Sequence, residues 1–250
     1  MCEREDLARW AKTTLSRRGF GAGALAGAAM ACAPMDSATT GGETPAGSVT
    51  SRSVSFRTPD GTLDGEFFAV TGTARPGVVM WPDIAGVRPA KRQMAQRLAE
   101  AGYAVLLANP YYRDVAGQQF EDFASFAGSG GFDTVKPWRD RFTTATKQRD
   151  NRACAEWLMM QAEVDGDRGI GVQGYCMTGS YAVVAPSADA HIHAGASFHG
   201  GGLVTDDPSS PHRTFREDAH YLIAIAENDD EKAPDEKTAL REAADAANTT

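Results

Sequence analysis

Cysteine is scarce: the 250 residues hold only Cys2, Cys32, Cys154 and Cys176, in spacings that match neither a disulfide-dense scaffold nor a CxxC zinc pattern. Basic charge is scarce too. Twenty-five Lys and Arg face 33 Asp and Glu, for a net charge of −8, the opposite of the basic face that a nucleic-acid partner requires. The uncharged run Gly21 to Ala31 spans about eleven residues and is rich in glycine, well short of the roughly 20 needed for a bilayer-crossing helix. No internal repeat is found. His191 and His193 alternate along a strand start with no third ligand nearby, so neither a metal nor a cofactor is expected. What is present, 42% hydrophobic and 23% charged residues, suffices for one large globular domain or two small ones.

The N-terminus reads as an address. Ser16-Arg17-Arg18-Gly19-Phe20 precedes the uncharged run and then the loop-like Pro34 to Val49, the order of a twin-arginine export signal. Residues 1–31 are the expected signal peptide and the export machinery an expected partner, which places the protein in the periplasm or tethered to a membrane. Ala29-Met30-Ala31 fits a small-x-small cleavage site, and Cys32 directly after it fits a lipid-accepting cysteine; both readings cut at the same bond. Residues 32–50, polar with almost no large apolar side chain, read as a disordered linker, and residues 51–250 as the folded domain.

Ser53 to Arg57 and Gly65 to Val70, joined by Pro59-Asp60-Gly61, predict an antiparallel hairpin. Thereafter strands (Val78 to Trp81, Tyr103 to Ala108, Ile170 to Gly174, Ala194 to Phe198, Tyr221 to Ala226) alternate with helices (Arg88 to Ala101, Thr143 to Gln161). That rhythm predicts an α/β fold, a mostly parallel central sheet with helices on both faces. The Phe- and Gly-rich stretch from Arg113 to Asp140 either covers a pocket at the strand ends or packs on the domain's own flank.

Ile170-Gly171-Val172-Gln173-Gly174-Tyr175-Cys176-Met177-Thr178-Gly179 is a strand running into a tight turn with Cys176 at its apex, a nucleophile elbow. Glycine two residues before the apex lets strand and helix cross closely, and the helix start after it favours a thiolate. Cys154, in mid-helix, reads as structural. Ser180 lies one helical turn too far along to act as the nucleophile.

With the elbow in view, the chain from about Val54 onward resembles the dienelactone hydrolase family, a cysteine-nucleophile branch of the α/β-hydrolase fold. The resemblance rests on Trp81-Pro82-Asp83-Ile84-Ala85-Gly86, Asn109-Pro110-Tyr111-Tyr112-Arg113, Gly174-Tyr175-Cys176-Met177-Thr178-Gly179 and Ala226-Glu227-Asn228-Asp229-Asp230. It implies that Cys176 attacks the carbonyl of a small ester or lactone, with the backbone N–H groups of Ile84 and Met177 as oxyanion hole. It further implies Asp83 as the carboxylate that accepts the thiol proton, and Asp229, or else Asp230, as the triad acid. Asp83 stands where the family commonly has glutamate, and its other reading is to cap the turn before the next helix. Thr178 replaces a usual glycine, so the helix is expected to stand further off the strand. A pocket lined by Trp81, Tyr111, Tyr112 and Trp138 is expected, with Arg139 or Arg141 holding a substrate carboxylate.

His199-Gly200-Gly201-Gly202 looks like a lipase-type oxyanion motif but follows the nucleophile instead of preceding it; it reads as a turn leaving a strand, with His199 at the pocket floor. Gly169 to Gly174 matches G-x-G-x-x-G but lies inside a strand, so a dinucleotide site is not expected. All five histidines (His191, His193, His199, His212, His220) lie upstream of the acid, and the sequence ends in helix-like residues. On the order nucleophile, acid, histidine, the chain as written is therefore expected to lack its base, its last strand and its last helix, with poor solubility and negligible turnover unless His199 replaces the base. Two other readings stay open: an exported binding protein on the same fold without the chemistry, and a thioesterase or acyl transferase.

Overall fold

The computed structural model describes residues 47–249; the segment expected to be a signal peptide, the paired Arg17 and Arg18, Cys2 and Cys32 lie outside them. Seven strands form one sheet in the order β1-β2-β4-β3-β5-β6-β7: β1 (Val49–Thr58), β2 (Gly61–Val70), β3 (Gly77–Trp81), β4 (Ala104–Ala108), β5 (Ile170–Tyr175), β6 (Ile192–Phe198) and β7 (His220–Ala224). β1 and β2 form the expected hairpin, and β2 pairs antiparallel with β4; β4, β3, β5, β6 and β7 run parallel. β1 begins at Val49, inside the segment expected to be linker, because its ladder with β2 continues to the Val49–Val70 pair. β7 pairs with β6 alone among the described strands, and Leu222 on it is exposed.

Strand residues sort by parity, as a pleated sheet covered on both faces demands. Val78, Met80, Val105 and Leu107 pack with Ala95 and Ala99 of α1 (Pro89–Glu100) on one face. Val79, Trp81, Leu106 and Ala108 face the other, against Cys154, Ala155 and Leu158 of α4 (Thr144–Met159) and Tyr181 and Ala182 of α5 (Gly179–Val184). α1 starts without a side-chain cap but with proline at its first position, where a missing N–H costs nothing. Between β4 and α4 lie α2 (Phe123–Gly128) and α3 (Gly131–Arg139). Their aromatics, with Phe126 fully buried, pack over Ile84, Ala85 and Tyr111 and against Met177. The Phe- and Gly-rich stretch thus covers the loops at the carboxyl ends of β3, β4 and β5. After β7 come α6 (Glu227–Lys232) and α7 (Glu236–Ala246).

Candidate active site

β5 passes directly into a single 3-10 turn, Cys176–Thr178, and then α5. Cys176 sits at φ 55°, a left-handed conformation uncommon for any residue other than glycine. A Cβ at Gly174 would lie 2.0 Å from the Thr178 carbonyl oxygen, so glycine is required for the strand and the turn to pass. Thr178 does not push the helix away, contrary to expectation. Its side chain is fully buried, and its hydroxyl accepts from the Tyr175 N–H at 3.0 Å and lies 2.8 to 3.1 Å from the carbonyls of Trp81, Pro82 and Tyr175. The threonine therefore fastens the elbow to the loop that leaves β3.

That loop carries Ile84. Its N–H donates to no other described residue, and its carbonyl accepts from the buried Tyr111 hydroxyl at 2.7 Å. The same hydroxyl lies 3.4 Å from the Met177 sulfur. Tyr111 thus ties together the two residues proposed as oxyanion donors. Burial pushes its phenol well above its usual range, and the nearby charges of Asp83 and Cys176 push the same way while Arg139 opposes them.

Asp83 is occupied. Its carboxylate takes a two-pronged contact from Arg88 at 2.7 Å, an ion pair with Lys91 at 3.0 Å and the Ala85 N–H at 3.0 Å. Burial alone would raise this carboxyl, but Arg88 and Lys91 outweigh it and hold it below its usual range. An anion held by two cations is a weak proton acceptor, which argues against Asp83 as the base for the thiol. It caps the loop turn at Ala85; the helix itself begins without it.

At the next strand, β5 and β6 run in register up to Tyr175 opposite Phe198, so Cys176 and His199 leave adjacent strand ends side by side. The Gly201 N–H donates to the Cys176 carbonyl at 3.2 Å, and the His199 N–H to the Ala224 carbonyl of β7 at 2.8 Å. A Cβ on Gly179 would come within 2.4 Å of the Gly200 Cα; the glycines after His199 let the turn close onto the elbow. His199 Nδ1 lies 4.0 Å from Asp229 Oδ2. Asp229, in the first turn of α6, is buried, whereas Asp230 is half exposed and pairs with Lys237 at 2.7 Å. The motif read as a decoy is a turn leaving a strand, as expected, and its histidine stands between the cysteine and the acid.

The expected pocket loses two members. Trp81 is fully buried, its Nε1 donates to Asn151 Oδ1 at 2.9 Å, and it packs on Tyr181, so it is a core residue below the site. The Tyr112 hydroxyl is spent on Asp150 at 2.7 Å and Thr58 at 3.0 Å, away from the elbow. Tyr111 and Trp138, in contact at 5.2 Å, remain beside it. Arg139 is part-buried and close enough to Tyr111 to act on its phenol; Arg141 pairs with Asp114 at 3.1 Å. Ser180 is buried, its hydroxyl bonded to the Met177 carbonyl at 3.4 Å. Cys154 is fully buried, and burial pushes its thiol up, as suits an inert core cysteine. Among the described residues no group of three or more His, Cys, Asp or Glu is placed to hold a metal ion, and no helix is long and apolar enough to cross a membrane.

A mostly parallel sheet with a strained strand-to-helix elbow at its carboxyl edge fits an α/β-hydrolase fold. Residues 64–250 match the dienelactone hydrolase family, and the chain belongs to that family. Among solved structures it is similar to a protein named m3DLH (23% identity, TM-score 0.60, covering 82% of this chain and 80% of that one). It is also similar to a dienelactone hydrolase-like promiscuous phosphotriesterase from metagenomic libraries (23%, TM-score 0.57, 82% and 80%). A third is a dienelactone hydrolase from Anabaena variabilis (17%, TM-score 0.57, 81% and 83%). At these identities the likeness is one of fold. No curated protein matches the chain in sequence.

Proposed function

We propose that the protein is an exported thiol hydrolase that cleaves a small carboxylic ester or lactone through Cys176. The observation that supports this most strongly is the backbone of Cys176 itself: a part-buried cysteine at φ 55° on the apex between β5 and α5. Strain of this kind, of order 1–3 kcal/mol, persists where function needs the geometry, and a cysteine needed only for packing would have no use for it. In this reading the Cys176 sulfur attacks the carbonyl carbon and the oxygen takes up negative charge against the N–H groups of Ile84 and Met177. The alcohol or ring oxygen then leaves, and water releases the acid from the thioester. Loss of one oxyanion donor in such a site costs about a hundredfold or more. Arg139, near Tyr111, would receive a carboxylate on the substrate.

Hydrolysis of a panel of aryl esters, small lactones and thioesters by wild-type protein and Cys176→Ala tests the reading. Ester or lactone turnover should fall by about a thousandfold or more in the variant, while Ser180→Ala retains it. Turnover that survives in Cys176→Ala would remove the thiol from the mechanism. No covalent labelling of Cys176 by an ester-like probe would point instead to a binding protein on this fold. Export is proposed on the order of paired arginines, uncharged run and small-residue exit. Replacement of both Arg17 and Arg18 by lysine should hold the precursor in the cytoplasm, and continued appearance of mature protein outside the inner membrane would contradict it. Mass spectrometry of that mature N-terminus distinguishes a lipidated Cys32 from a plain one.

A further inference from the structure

We infer that Lys91, in the first turn of α1, is a positioning residue for acyl transfer at Cys176: its one buried ammonium holds the Ile84 loop through Asp83 and the elbow through the ring of Tyr175. This rests on the thiol-hydrolase reading above. The starting point is a charge where none is expected. Val87, Ala95 and Ala99 are buried together against Val78, Met80 and Val105 of the sheet. Lys91 fills the gap in that four-residue spacing, so it lies on the inward stripe, and it is buried like its neighbours. The position disfavours a cation twice over. The stripe is otherwise apolar, and the first turn of a helix, which here carries no acid, favours negative charge. An apolar side chain of the same length would fill the site without the desolvation of an ammonium, and a buried ion pair is often no more stable than such a replacement. The use of the charge is therefore sought in what it touches.

Two contacts define it. Lys91 Nζ lies 3.0 Å from Asp83 Oδ2, on the loop that leaves β3 and carries Ile84, and 4.4 Å from the centroid of the Tyr175 ring, which enters the elbow. Both attractions strengthen where water is excluded. Arg88, the other buried cation at Asp83, does not make this span: its contacts are Asp83 Oδ1, Asp83 Oδ2 and the Gly86 carbonyl, all on the loop itself. Lys91 alone of the two reaches from the loop to β5.

Each partner passes the constraint on. Asp83 Oδ1 accepts the Ala85 N–H at 3.0 Å, so the carboxylate brackets Ile84 from both sides. The Tyr175 ring stacks on Phe198 at 5.2 Å, across the last matched pair of β5 and β6, and its hydroxyl donates to Gln173 Oε1 at 2.9 Å. Ile84 follows Asp83 directly, and Met177 comes two residues after Tyr175. The two oxyanion donors of this reading thus belong to segments from different strands, and Lys91 sets the distance between those segments. Thr178 ties the same segments at Trp81 and Pro82, before the donor; Lys91 ties them at the residue beside it. Donors that serve a developing charge must be placed before the charge appears, and a rigid, buried ammonium on two anchors supplies that placement without touching the substrate.

The test compares two reactions of one thiol on the full chain, neither of which needs turnover. In acylation by p-nitrophenyl acetate the Cys176 sulfur bonds to the carbonyl carbon, an oxyanion develops, and one equivalent of p-nitrophenolate leaves while the thiol proton passes to buffer. Alkylation by iodoacetamide displaces iodide from a saturated carbon and develops no oxyanion. Both rates are read at a pH where the thiol is ionised. In Lys91→Met, of matched length and without charge, acylation should slow by about 10- to 100-fold, the scale of a displacement near 1 Å, with alkylation unchanged. Lys91→Gln gives the same comparison if the methionine variant does not fold. Lys91→Arg keeps a cation in reach of both partners and should recover most of the loss. Tyr175→Leu should slow acylation less, and should add little to Lys91→Met, because both break one link. Arg92→Gln removes the same charge one position along α1, where it pairs with Glu66, and should change neither rate. Undiminished acylation in both Lys91→Met and Lys91→Gln, equal slowing of acylation and alkylation, or full additivity with Tyr175→Leu would overturn Lys91 as a positioning residue and leave the thiol reading standing. No acetyl group on Cys176 of the wild-type protein would instead defeat the thiol reading, and this inference with it.

Discussion

Two polar clusters of this fold are built on opposite principles. Around Arg113, after β4, every partner is in reach. Its guanidinium contacts Asp150 at 2.7 and 3.0 Å and Asp60 at 2.6 Å, Tyr112 donates to Asp150 at 2.7 Å, and Arg149 reaches Asp60 at 2.9 Å. This cluster joins the β1–β2 turn to α4 and the β4 loop. At the ends of β5 to β7, by contrast, two side chains sit on left-handed backbone and the histidine stands 4.0 Å from its carboxylate. The first arrangement leaves no group wanting a partner, so it fixes structure. The second holds strained backbone at the edge where ligands bind in such sheets.

The contrast can be broken from either side. Removal of the fully buried carboxylate in Asp150→Ala leaves Arg113 buried with half of its partners, and should lower unfolding stability by about 3 to 5 kcal/mol in denaturant titration. A loss under about 1 kcal/mol would mean that the cluster is dispensable. Thr178→Val should cost less, about 1 to 3 kcal/mol, because it strands one buried N–H, that of Tyr175. It should also slow ester hydrolysis, since the elbow and the Ile84 loop lose their common fastening. Unchanged melting and unchanged turnover would show that the hydroxyl is incidental there.

Much of this was legible in the residues. The hairpin, the alternation of strands and helices and the glycine before the apex cysteine were read from spacing alone, because period and turn chemistry are local. What failed was orientation. Trp81 and Tyr112 adjoin motifs that surround the site, yet strand parity turns Trp81 toward α4 and Asn151, and Tyr112 is drawn to Asp150, 38 residues away. Asp83, read as a proton acceptor or a turn cap, is met by Arg88 and Lys91 across a loop and the first turn of α1. Thr178 looked like a steric spacer, but its hydroxyl met carbonyls 96 and 97 residues distant. His199 and Asp229 are 30 positions apart, and the parallel register of β5, β6 and β7 is what makes them neighbours. The one local signal for His199 was its run of three glycines, which makes sense once Gly200 is seen against Gly179.

The account stands or falls on Cys176 as the atom that carries the acyl group. Intact-mass and peptide analysis of the protein, quenched in acid within seconds of mixing with p-nitrophenyl acetate, measures this directly. The account predicts a single added acetyl group located on Cys176 and absent in Cys176→Ala. An acetyl group on any other residue, or turnover with Cys176 never modified, would contradict it.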